Sequence, residues 1–136
     1  MTTEPLIRIT SFIHRKSTIS ADDFYRYWTQ VHGPLVHSFM LRHGVIEYKQ
    51  FHTTAATKSF AAGMAEQSGR PLMEYDGMTD AYVRDWKTWE EAFTDPEYLE
   101  KIKPDEEAFI DVGRLRMTVG YDWEVLREGK VCDCSR

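Results

Sequence analysis

Cysteine is nearly absent. The 136-residue chain has two, Cys132 and Cys134, one residue apart at its polar end, so no disulfide framework stands ready to hold a small fold. A CxC pair can bind a soft metal, but no histidine stands near it to complete a site, and a disordered tail is the expected reading. Long apolar runs are also missing: no stretch approaches the length that spans a bilayer, and the opening MTTEPLIRITSF carries no basic leader before an apolar core. A cytoplasmic protein is expected. Basic residues are in deficit, with 17 Lys plus Arg against 22 Asp plus Glu. No segment gathers cations enough to neutralise a row of phosphates, which argues against nucleic acid as a partner. No GxGxxG, GxxxxGK followed by Ser or Thr, or HExxH occurs, and His32 and His37 lack a third ligand, so neither cofactor nor metal is expected.

What is present suffices for one core. A chain of this length removes about two-thirds of its unfolded surface from water on folding. The expected division is a folded domain over residues 1–126 and a polar tail over 127–136. LIRITSFIHR, residues 6–15, is rich in β-branched and aromatic residues and predicts a strand. Ser20 followed by Asp23 resembles a capping box, after which Phe24, Trp28, Val31 and Leu35 recur near helical spacing, with Tyr27 widening the stripe. Gly33 and Pro34 predict a stop, a second helical piece carries Val36, Phe39 and Met40, and Gly44 ends it.

VIEYKQFH, residues 45–52, predicts a strand with Tyr48, Gln50 and His52 on one face. Residues 53–75 predict a long connection with a weakly helical piece near 60–67, long enough to serve as a lid. GMTDAYVRD, residues 77–85, predicts a third strand, followed by a helix holding Trp86, Trp89, Ala92 and Phe93. Asp95 and Pro96 restart that helix, and Leu99 and Ile102 extend its stripe. RLRMTVGYDWEVL, residues 114–126, alternates as a last strand. Strand, helix, strand, taken twice with right-handed crossovers, gives an α+β, ferredoxin-like βαββαβ fold: a four-stranded antiparallel sheet with its helices on one face. The other face stays open, and a homodimer meeting sheet to sheet would cover it.

These segments carry a resemblance. WTQVHGPLV resembles the W-x-x-x-H-G-P-L signature of EthD-domain proteins, of the dimeric α+β barrel superfamily. YKQFH, YDGMTDAYV and AFTDPEY are similar to later segments of that family, so the likeness runs from Ile7 to Trp123. Within the family the chain looks most like small fungal members encoded beside non-reducing polyketide synthases, which decarboxylate atrochrysone carboxylic acid and related anthraquinone precursors. The resemblance implies a decarboxylase of a polycyclic aromatic polyketide acid, a lyase of secondary metabolism.

The candidate catalytic residues are His52, His32 and Tyr48. His32, read as standing at a helix C-terminus, would have its pKa raised by the helix dipole and would suit a proton donor. His52 shares a strand face with Tyr48 and Gln50, three hydrogen-bonding side chains on one wall. Tyr25, Trp28, Gln50, His14 and Trp86 are the candidate substrate-binding residues. An apolar pocket would desolvate the carboxylate while His52, with His32 or Tyr48, polarises the ring oxygen and protonates the carbon. A dehydratase or cyclase would use the same donors. The same barrel also admits a haem- or oxygen-dependent enzyme, or a non-catalytic dimeric binding module.

Overall fold

Isoleucines alternating with smaller and polar residues in IRITSFI give β1 (Ile7–Ile13) two unlike faces: Ile9 and Ile13 are buried on one side, and Arg8, Thr10 and Phe12 look to the other. In the computed structural model, which describes residues 4–132, β1 lies inside the sheet. It pairs antiparallel with β3 (Gly77–Val83) on one side and β4 (Arg116–Gly120) on the other, while β2 (Glu47–His52) pairs antiparallel with the outer edge of β3. The order β2-β3-β1-β4 is that of the ferredoxin-like fold expected from the sequence. Register sets Ile9 opposite both Ala81 and Val119.

The helices pack on the face that carries Ile9, Ala81 and Val83, against Val36, Phe39, Met40, Trp89 and Ile102. A second cluster joins Ile13 to Phe24, Trp28, Phe109 and Ile110. Each large side chain so buried is worth about 1.5 to 3 kcal/mol.

Ser20 caps α1 (Ala21–Tyr27), its Oγ accepting from the Asp23 amide. Contrary to the expectation from sequence, Gly33 and Pro34 do not stop this helix. The chain widens into a π-helical turn over Trp28–His32 and runs straight on as α2 (Gly33–Arg42). The cause is Pro34, whose ring would clash with the carbonyl four residues back in an α-helix. Inserting one residue into the turn relieves that clash, and the Gly33 amide reaches the Trp28 carbonyl instead. The buried stripe therefore becomes Phe24, Trp28, His32, Val36, and the predicted stripe members Val31 and Leu35 turn to solvent.

The second half repeats the device. After α4 (Trp86–Thr94) the Asp95 carboxylate accepts from the Glu97 amide at 2.7 Å. A second π-helical turn, Tyr98–Ile102, precedes α5 (Lys103–Phe109), with Pro104 just inside it and the Lys103 amide bonded to the Tyr98 carbonyl.

Two segments differ from expectation at their margins. The predicted connection over 53–75 holds a full helix, α3 (Ala55–Ser68), capped by Thr54, ended by Gly69 at φ 71°, and burying none of its residues. The predicted last strand is confined to β4, and the tail, as far as it is described, folds into a small hairpin of β5 (Leu126–Arg127) and β6 (Lys130–Val131). Glu128 and Gly129 both adopt positive φ there, the geometry of a tight two-residue turn. Cys134 lies outside the described residues.

Candidate active site

Between the covered sheet face and the helices lies a cavity of about 590 Å³, within the size range of small-molecule sites. Strands supply Ser11, Ile13, Tyr48, Thr79 and Met117, and the helical side supplies Trp28, Val36, Met40, Trp86, Trp89 and Phe93. The walls are thus mostly aromatic and aliphatic, suited to a flat apolar body. His32, Tyr98, Glu106 and Arg116 are set among them.

His32 is 2 % exposed. The π-helical turn puts it in the buried stripe, where its Nδ1 meets the Asp105 Oδ2 at 2.7 Å. The Tyr27 hydroxyl donates to the other oxygen of Asp105, which pushes the phenol pKa up to about 12. A carboxylate only accepts, so the neutral imidazole carries its proton on Nδ1 and leaves Nε2 as an acceptor. Nε2 makes no hydrogen bond to the described residues, and the ring lines the cavity. Burial lowers the His32 pKa, and Asp105 offsets this only in part. The raised pKa expected from a helix terminus does not arise, because the helix continues through the residue and no free carbonyls end there.

Beside it is a cluster that sequence reasoning missed. The Tyr98 hydroxyl donates to Glu106 Oε1 at 2.6 Å. Burial raises the Glu106 pKa and outweighs that bond, and burial likewise raises Tyr48 and Tyr98. The usable signal was spacing. Trp28 and Tyr98 each stand six residues before a proline, Pro34 and Pro104, and Asp105 and Glu106 follow the second proline directly.

Of the predicted site residues, Trp28, His32, Tyr48 and Trp86 line the cavity. Gln50, His52, Tyr25 and His14 are not on its wall. Tyr48, Gln50 and His52 do share one strand face, but Trp28 intervenes: the His52 ring stacks on it at 4.6 Å and on Tyr25 at 5.1 Å. The Gln50 amide donates to the Trp28 carbonyl and accepts from His52 Nε2, both at 2.9 Å, so it binds the π-helical turn to β2. Tyr25 donates to the Asp76 carbonyl at 2.6 Å, and His14 packs on Tyr75. Asp76 and Asp80 hold arginines, Arg15 and Arg8. Among the described residues no group of three or more His, Cys, Asp or Glu could hold a metal ion.

An antiparallel β2-β3-β1-β4 sheet with helices on one face, and an aromatic cavity between them on which the Asp105-paired His32 stands, defines a ferredoxin-like α+β protein with an internal cavity. The chain belongs to the EthD-domain family, whose model matches residues 16–113. It is 30% identical over 128 residues to the conidial pigment biosynthesis dehydratase EthD of Metarhizium robertsii, covering 94% of this chain and 90% of that one. It is also 26% identical over 125 residues to the decarboxylase claH of Passalora fulva, covering 92% of this chain and 81% of that one. Among solved structures, an EthD-family protein of Bacillus halodurans superposes with a TM-score of 0.61 at 14% identity, over 87% of this chain and 99% of that one. No helix among the described residues is long and apolar enough to cross a membrane.

Proposed function

We propose that the chain is a lyase that removes water from a polycyclic aromatic polyketide intermediate, with His32 as the proton-transferring group. The observation that supports this reading most is the state of His32: neutral through burial, fixed at Nδ1 by Asp105, and open at Nε2 to an apolar cavity. Such a group takes a proton from the carbon beside a ketone, the first demand of β-elimination. The aromatic walls hold the flat ring system and exclude water. The relative from Metarhizium robertsii is named a dehydratase, in agreement.

Decarboxylation, the reaction implied by the sequence resemblance, is the second reading. It draws on the decarboxylase name of the Passalora fulva relative. Mass spectrometry of the product separates the two. Incubated with a tricyclic polyketide carrying both a β-hydroxy ketone and a carboxyl group, the protein is expected to release the mass of one water. Loss of carbon dioxide instead would establish the second reading, and unchanged substrate would contradict both. A homodimer through the open sheet face belongs to the same proposal.

A further inference from the structure

The cavity holds a second proton-handling group on its wall that the His32 step leaves unused. Glu106 stands at the second position after Pro104 in α5, one residue beyond the Asp105 that fixes His32. His32 and Glu106 line the same cavity, whereas Asp105, which holds His32 Nδ1, is not on its wall. The Glu106 Oε1 is occupied by the Tyr98 hydroxyl at 2.6 Å, whereas Oε2 makes no hydrogen bond to the described residues. Tyr48 lies across from it on β2 and completes a polar corner in an otherwise apolar wall.

We infer that Glu106 is the general acid of the elimination, donating the proton of its Oε2 to the departing hydroxyl, while Tyr98 holds its Oε1 and orients the carboxyl. This rests on the reading of His32 as the base. The step balances without a further reactant. His32 Nε2 takes the proton from the carbon next to the ketone, and that C–H electron pair becomes the new C=C bond. The C–O bond breaks, its electron pair stays on oxygen, and the oxygen takes the proton of Glu106 and leaves as water. Proton return from imidazolium to carboxylate resets the site. Burial keeps Glu106 in its acid form to higher pH than an exposed carboxylate, consistent with a donor. In this assignment the substrate end that enters this corner is the β-carbinol, within reach of the Glu106 carboxyl.

The test uses two substrates, a tricyclic β-hydroxy ketone that aromatises on loss of water and its acetate ester, which leaves as a stable anion and needs no acid. Glu106→Gln keeps the shape and an acceptor for Tyr98 but has no acidic proton. It is expected to slow loss of water about a hundred- to ten-thousandfold while changing loss of acetate less than about tenfold. His32→Gln is expected to slow both. Unchanged loss of water in Glu106→Gln, or equal slowing of both substrates, overturns the assignment of Glu106. Full activity of His32→Gln on both substrates overturns the underlying reading of His32.

Discussion

The imidazole of His32 is governed by two opposed influences, burial that lowers its pKa and Asp105 that raises it. A base works in its neutral form, so activity rises with pH as this ring loses its proton. Asp105→Asn removes the stabiliser of the imidazolium, and the rising limb is expected to move to lower pH. An asparagine can also donate to Nδ1 and reverse the tautomer, so kcat should fall about ten- to a thousandfold with KM nearly constant. A pH–rate profile checks both effects. Glu106 shifts in the other direction: its folded pKa is raised, so the stability it contributes is present below the ordinary carboxylate range and is lost as pH rises through the folded value. Lys103, Asp105, Glu107 and Tyr98 surround it and set that value jointly. Glu106→Gln does not titrate, and is therefore expected to lose less stability than the parent as pH rises from about 4 to 7, read as melting temperature across that range. His52 is stacked on Trp28 and Tyr25 outside the cavity. His52→Ala should cost about 1 to 2 kcal/mol in denaturant unfolding while kcat/KM stays within a few-fold.

The site depends on elements that the sequence shows only in part. The strands were legible because β-branched and aromatic residues cluster in them, and the order strand, helix, strand repeated twice leaves few topologies. The π-helical turns were not legible, since Gly33 followed by Pro34 has the same local composition as a helix stop. The continuation shows only in three dimensions, where the Gly33 amide reaches the Trp28 carbonyl and Gln50 of β2 donates to the same oxygen. That one error displaced the predicted stripe onto Val31 and Leu35 and hid His32 as a core position. His52 was read as a wall residue from the strand face it does share with Tyr48, because sequence periodicity cannot show that an indole stands between. Asp105 and Glu106 were overlooked as ordinary acidic residues of a helix first turn. Contact between β3 and the first π-helical turn can be probed at Gly77, where an added Cβ would sit 2.6 Å from the Trp28 ring and 2.8 Å from the Phe51 carbonyl oxygen. The carbonyl cannot move without breaking the β2–β3 ladder. Gly77→Ala is expected to destabilise the fold by about 1 to 3 kcal/mol and, by pushing Trp28 into the cavity, to raise KM severalfold.

At the scale of the whole molecule, the sheet face away from the helices carries Arg8 between Asp80 and Asp122 at 2.8 and 2.9 Å, and the Tyr82 hydroxyl also donates to Asp122. Phe51 on the same face is 53 % exposed. Pairing of two such faces is the homodimer proposed above. Analytical ultracentrifugation should give a dimer for the parent and a monomer for Phe51→Arg, which replaces an exposed apolar ring of that face with a charge that pairing would desolvate. The most direct test of the proposed chemistry follows product mass from a tricyclic β-hydroxy ketone in the parent and in His32→Gln at equal folded concentration. The expected result is loss of one water catalysed by the parent and reduced at least about a hundredfold in the variant; equal rates in the two proteins, or no loss of water above the uncatalysed rate in the parent, would contradict it.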